Sequence, residues 1–313
     1  MERSRKPVAL ARTPGLPPQP VVNITHDNTR VSAVLPTGES VEVLLHGATV
    51  ISWKDATHKE KLWLSEGAKL DGSKAVRGGI PLVFPVFGTR PDHKETSKLP
   101  QHGFARTSAW DYLGKSTSET EGSSVKLDFG LSSESIPAAS KALWPYTFGL
   151  IYSVTLNRES LTTSLVITNE GGESFDCQML LHTYLRIDDI DKTDITGLEG
   201  AEFIDKIDPP PTQTQAGAVT IAKEVDRVYT PVGGPSTPII VNEAGEESFR
   251  IVRDKLPDVV VWNPWTDKAA GMADFEPKTG FRSMLCVEAG SVREWTRLEA
   301  GDVFEGSQTI IIG

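Results

Sequence analysis

Cysteine is scarce in this sequence: Cys177 and Cys286 are the only two among 313 residues. That density excludes a disulfide framework. Neither stands in C-x-x-C spacing, and both lie in apolar strand-like runs, so they read as buried reduced thiols. Basic charge is also short, with 32 Lys and Arg against 42 Asp and Glu and a formal net charge of −10. Nucleic acid and anionic membranes attract a basic field, so neither is expected as a partner. Long apolar runs are missing, and none approaches the roughly 18 residues of a membrane span. Residues 1–9 are charged and carry no apolar core of a signal peptide, which makes the cytoplasm the expected location. There is no P-loop, no G-x-G-x-x-G, no G-x-S-x-G elbow and no local metal-ligand spacing. No cofactor and no metal are therefore expected.

What is present has a β texture. At 38% hydrophobic and 24% charged, the composition is that of a globular chain able to bury a large core. Residues 1–20 are basic and then proline-rich, with Pro14, Pro17, Pro18 and Pro20, and read as a loose tail. Residues 21–313 read as one domain, since large sandwiches exceed 200 residues as single units. The run Val41 to Trp53 is rich in β-branched residues and broken by Gly47. Val125 to Leu131 alternates apolar with polar, the period of a half-buried strand. Asn169 to Ser174 is turn chemistry between two strand runs. Further strands are expected at Val259 to Trp262, Met284 to Glu288, Glu294 to Leu298 and Ser307 to Ile312. Helical periodicity is confined to Ser135 to Ala142 and Asp267 to Ala273, with polar surface connections at Ser116 to Ser124 and Asp208 to Gly217. Many strands and few short helices predict an all-β, large antiparallel sandwich.

Four segments could carry chemistry. Arg77-Gly78-Gly79-Ile80-Pro81 sets a guanidinium beside two glycines that let the backbone approach a ligand, although a structural loop fits as well. Gln101-His102-Gly103-Phe104-Ala105-Arg106 gathers an amide, an imidazole and a guanidinium within six residues. Gln101 suits sugar hydroxyls, and Arg106 can grip a phosphate in a bidentate fork. In Met179 to Arg186, strand alternation puts His182 on one face with Gln178, Leu180, Tyr184 and Arg186, away from Cys177, Met179, Leu181 and Leu185. Glu288 ends the apolar run Met284 to Val287, where a carboxylate needs a partner or a task. Partial desolvation would raise its pKa toward that of a general base. A structural histidine and a plain ion pair are the alternatives for the last two. Weaker candidates are Asp226, Trp262 and Trp265, with Arg90, Arg186 and Arg227 as possible phosphate helpers.

Taken in order, these segments, with Val225-Asp226-Arg227-Val228-Tyr229 and Val261-Trp262-Asn263-Pro264-Trp265, resemble the aldose 1-epimerase superfamily. Within it they are similar to the glucose-6-phosphate 1-epimerase branch. The resemblance implies a galactose-mutarotase-like β-sandwich with its site on a concave sheet. It implies anomer exchange of a sugar phosphate, with His182 and Glu288 catalytic and Arg77, Gln101, His102, Arg106 and Asp226 contacting substrate. An unphosphorylated aldose as substrate and a non-catalytic sugar-phosphate binder on the same fold stay open beside it. The partner implied is a small sugar phosphate, and a monomer is expected.

Overall fold

The computed structural model describes residues 18–117 and 124–313. Most of the proline-rich tail (residues 1–17) and the middle of the serine-rich run (118–123) lie outside the described residues. The described residues form three antiparallel sheets of four, eight and nine strands. Residues 21–54 make the four-stranded meander. The nine-stranded sheet is centred on the long neighbours Phe148–Leu156, Ser160–Asn169 and Val303–Ile312. The eight-stranded sheet runs Thr212–Thr214, Glu202–Asp205, Val225–Thr230, Asp258–Asn263, Met284–Leu298, Phe175–Leu181 and Leu82–Val83, with Tyr184–Arg186 also pairing with Met284–Leu298. Only two short α-helices are present among the described residues, Ala138–Leu143 and Trp265–Gly271.

The strands are amphipathic at period two, and that alternation builds the layers. Cys177, Met179, Leu181, Val259, Val261, Leu285, Val287 and Ala289 turn to the interior, where they join Leu161, Leu165 and Ile167 of the nine-stranded sheet in one core. Each such side chain, fully buried, is worth about 1.5–3 kcal/mol. The intervening residues Leu180, Tyr184, Val228, Val260, Trp262 and Cys286 form a second apolar cluster on the opposite face. That second face carries the candidate site.

Three segments depart from the sequence expectation. Met284 to Glu288 and Glu294 to Leu298 are one 15-residue strand, because Ala289, Gly290 and Ser291 are small enough to continue the sheet through a tightly packed stretch. Conversely, Met179 to Arg186 is interrupted at His182–Thr183 between two strands. The Asp208 to Gly217 connection contains the short edge strand Thr212–Thr214.

Two glycine-bearing segments are pressed against neighbouring backbone. Gly79 has φ +66°, and a Cβ there would stand 2.0 Å from the Val50 carbonyl oxygen. Gly103 has φ +70°, and its Cβ would stand 2.1 Å from the Phe84 oxygen. Both conditions exclude a side chain. Gly103→Ala should therefore lower stability by at least about 2 kcal/mol, since strain and clash add. Urea unfolding checks this; a midpoint unchanged from wild type would show that the loop yields without cost.

Candidate active site

Strand register creates the centre of the site. Leu181 pairs with Ala289, and Tyr184 pairs with Cys286. The same register therefore runs across the interruption and sets His182 opposite Glu288. Val260 flanks Glu288 on its other side. In the adjacent row, Asp226 pairs with Trp262, Trp262 with Cys286, and Cys286 with Tyr184. Directly opposed side chains on one sheet face are nearest neighbours, and His182 Nδ1 lies 3.3 Å from Glu288 Oε1.

The interruption at His182 is pinned from both sides. His182 N–H donates to the Pro81 carbonyl and Tyr184 N–H to that of Gly79, which ties the Arg77–Pro81 segment to the sheet. Thr183 points the other way, where its hydroxyl accepts from Gln308 Nε2 of the nine-stranded sheet at 2.7 Å. Pro81 and Pro85 limit the neighbouring strand to Leu82–Val83 at the sheet margin. Strand alternation between the core residues Cys177 and Met179 turns Gln178 to the other face, where its Oε1 accepts from the Phe87 N–H at 3.1 Å. That bond holds Phe87 and Gly88 over the sheet. The Gly88 N–H in turn donates to His102 Nδ1 at 3.2 Å. Accepting this bond at Nδ1 puts the ring's proton on Nε2, which lies 3.4 Å from the Gln101 side-chain amide.

All seven site residues expected from the sequence line one cavity of about 380 Å³: Arg77, Gln101, His102, Arg106, His182, Asp226 and Glu288. That volume is within the range of small-molecule sites. Trp262 joins them, whereas Trp265 packs on Phe281 instead. Phe87 and Gly88, at the end of the glycine-rich Arg77 segment, and Val260 also line the cavity, and Lys206, Lys268 and Met272, which carry no signal in the local sequence, complete the wall. Lys206 reaches Asp226 Oδ1 at 3.2 Å and lies over the Phe87 ring. Arg90 lines a neighbouring cavity of about 630 Å³ that shares Gln101, Lys206 and Asp226 with the first. Arg186 and Arg227 lie elsewhere: Arg186 donates to the Leu62 carbonyl, and Arg227 is held by Asp205 over Phe203.

The electrostatics set the pair's resting state. Glu288 is 1% exposed, and its Oε2 has no hydrogen-bond partner. Burial, and then the Asp226 charge, push its pKa well above the usual 4.5. Burial, and then the positive charges of Arg106 and Arg77, hold His182 well below the ordinary imidazole value. Both groups are thus biased toward neutrality. His102 is lowered in the same way, by burial first and then by Arg106. Arg77 is kept charged by the Tyr184 hydroxyl at 3.2 Å and Asp274 at 3.3 Å, which outweigh its burial. Arg106 donates to the Gln101 carbonyl at 2.8 Å, while its Nε is buried without a partner, and burial draws its pKa down to about 10.

The site is thus an imidazole and a carboxyl opposed on one face of an antiparallel sheet, at the wall of a polar cavity. The aldose 1-epimerase family model matches residues 31–310, and the chain belongs to that family. A Cenchrus ciliaris protein named "Putative glucose-6-phosphate 1-epimerase" is 34% identical over 269 residues, 85% of this chain and 79% of that one. An Escherichia coli K12 protein of the same name is 31% identical over 80% of this chain and 79% of its own. A Salmonella typhimurium crystal structure named as a "putative mutarotase" superposes with a TM-score of 0.80 at 26% identity, covering 94% of each chain.

The raised Glu288 pKa has a consequence for stability. Folded Glu288 binds its proton more tightly than the unfolded carboxyl, so its contribution is fully present below pH 4.5 and is lost as pH rises toward the folded value. Glu288→Gln keeps the shape without the charge. Its stability relative to wild type should therefore increase from about pH 4 to about pH 8, read from thermal midpoints at both. A pH-independent offset would show that the carboxyl is not buried at a cost.

Proposed function

We propose that this protein interconverts the α and β anomers of a hexose 6-phosphate, chiefly glucose 6-phosphate, by opening and reclosing the sugar ring. The observation that carries the reading is the His182–Glu288 contact of 3.3 Å in a cavity that also holds Arg77 and Arg106. The names of the relatives point the same way.

The proton inventory fits the reaction. An ion pair of Glu288 carboxylate and His182 imidazolium holds the same number of protons as the neutral pair. Glu288 takes the proton of the C1 hydroxyl while His182 gives one to the ring oxygen as the C1–O5 bond breaks. The ion pair thereby becomes the neutral pair and the sugar becomes the open aldehyde. Rotation about C1–C2 and reclosure from the other face run the transfers in reverse. No proton has to come from solvent. Each positioned acid–base group typically contributes about 10² to 10⁴-fold.

The phosphate has a part in this balance. After burial, Arg106 and Arg77 hold His182 neutral. A phosphate dianion seated on these two arginines offsets their field and favours the imidazolium the reaction needs. Gln101, His102 and Asp226 are the proposed contacts of the sugar hydroxyls, and Lys206 and Lys268 add positive charge to the wall. Arg77 is already matched by Asp274, which favours a neutral aldose as a second reading. The unmatched Arg106 supports the phosphorylated sugar.

The reading takes residues 21–313 as one catalytic unit, supported by a core that runs from Val31 to Ile310, and needs one copy of the chain. It places the enzyme in the cytoplasm, supported by the two unbridged thiols. No helix among the described residues is long and apolar enough to cross a membrane.

Exchange NMR or polarimetry of glucose 6-phosphate tests the activity. Wild type should speed α/β exchange at micromolar concentration, and Glu288→Gln and His182→Asn should each lose about 10²-fold or more in kcat with little change in KM. Near wild-type kcat in either variant would reduce that residue to a structural one. A separate comparison reads the phosphate. Arg77→Ala and Arg106→Ala should each lower kcat/KM for glucose 6-phosphate by about 10 to 150-fold, from about 1.5–3 kcal/mol per charged hydrogen bond, while barely changing it for glucose. Equal losses on both sugars would assign the arginines to the fold or the sugar ring.

A further inference from the structure

Cys286 joins the His182–Glu288 pair in a way that anomer exchange does not require. Cys286 and Glu288 are two residues apart on one strand face, and His182 stands across from Glu288. All three are buried. His182 Nδ1 lies 3.3 Å from Glu288 Oε1 and 3.9 Å from Cys286 Sγ, and the three ligand atoms fall within 4.8 Å of one another. We infer that they form a binding site for one thiophilic divalent cation, with Zn²⁺ the best match, whose occupancy blocks the acid–base pair.

The spacing fits a metal. With Zn–N and Zn–O near 2.1 Å and Zn–S near 2.3 Å, tetrahedral ligand atoms stand about 3.4 Å apart for N and O and about 3.6 Å apart where sulfur is one of the pair. The imidazole and carboxyl stand close to that separation at 3.3 Å, the thiol is 3.9 Å from the imidazole, and all three draw in from within 4.8 Å of one another to close on the ion. A second observation points the same way. Glu288 Oε2 is buried without a partner, so the carboxyl has an unused lone-pair site. The cavity leaves the fourth coordination position open to water or a ligand oxygen. The chemistry is selective: thiolate with imidazole favours Zn²⁺, Co²⁺ and Cd²⁺ over Mg²⁺ and Ca²⁺. Thiolate and carboxylate together balance the dication, so the loaded group is neutral beside Arg77 and Arg106. Loading releases the thiol proton and any proton on Glu288.

Cation binding is independent of the proposed reaction, whereas inhibition rests on it, so the experiment reads the two separately. The full chain is titrated with Co²⁺ in the absence of sugar. One equivalent should produce tetrahedral d–d absorption and a thiolate-to-cobalt charge-transfer band, both removed by excess Zn²⁺. Cys177→Ala should keep the band and Cys286→Ala should lose it. Should Cys286→Ala fail to fold, X-ray absorption of the zinc-loaded wild type should show one sulfur among otherwise N and O ligands. In the exchange assay with glucose 6-phosphate, Zn²⁺ should inhibit reversibly by EDTA. Cys286→Ala should need at least tenfold more Zn²⁺ for the same fractional loss of its own metal-free rate. A cobalt band in a protein without exchange activity would uphold the metal site and sink the reaction assigned to it. Active protein that gives no charge-transfer band, or a band that persists in Cys286→Ala, would overturn the metal site.

Discussion

The register between Phe175–Arg186 and Met284–Leu298 is the constraint on which the site depends. It is held at Leu181 with Ala289 and again at Tyr184 with Cys286, and His182 faces Glu288 only because nothing slips between those points. A shift of one residue in either strand would turn that strand's member of the pair into the apolar core. The device that prevents it is distributed. Thr183 is anchored to Gln308 in the other sheet, and the Gly79 and Pro81 carbonyls take the N–H groups of Tyr184 and His182. Each of these holds backbone rather than the reacting side chains, so the pair is positioned by rigid sheet and not by a mobile loop.

That position has an electrostatic consequence. Placing the pair against Val260 and Trp262 removes water, which is why burial leads the causes of both pKa displacements. The same burial would make a lone charge costly, but an imidazole and a carboxyl in contact exchange neutral and ionic forms without changing their joint charge. The surrounding ions then tune the balance in opposite senses. Arg106 and Arg77 disfavour the imidazolium, and Asp226 disfavours the carboxylate. The site therefore leans toward the neutral pair; an anion on the arginines eases the imidazolium, while Lys206 continues to support the Glu288 carboxylate.

Much of this could be read from the sequence, for identifiable reasons. Alternation along Met179 to Arg186 and Met284 to Ala289 separates core from cavity residues without knowledge of the partner strands, and the observed clusters divide along that line. The glycines flanking Arg77 and His102 mark close backbone approach, and both meet neighbouring carbonyls. Where the sequence reading failed, the cause was not local. Lys206 follows the short strand Glu202–Asp205 in polar surroundings and enters the cavity only because that strand pairs with Val225–Thr230. Cys286 looks like an inert core thiol until His182, 104 residues earlier, is folded onto it. The four residues Val292 to Trp295 that stand opposite the single residue Gln178, and whose Val292 carbonyl accepts from Gln178 Nε2, become visible as a bulge only against the partner strand.

The chain's net charge of −10 sharpens the reading of the cavity. Charges farther away than about 8 Å are largely screened at physiological ionic strength, so the acidic surface neither draws in nor strongly repels a sugar phosphate at the site. What counts is the inner wall, where Arg77, Arg106, Lys206 and Lys268 face Asp226 and Glu288. Lys206 is tied to Asp226, Arg77 to Asp274 and Lys268 to Glu224, which leaves Arg106 as the cation of this group with a buried donor and no carboxylate against it. An arginine held in that state has desolvation to recover, and an anionic oxygen supplies more of it than a hydroxyl can. Discrimination by such a contact operates at hydrogen-bond distance and favours a ligand with its anion at a fixed reach from the reacting carbon. On the proposed reading, Arg106 is the arginine of the cavity left without a carboxylate, and Arg77 meets a phosphate from its ion pair with Asp274.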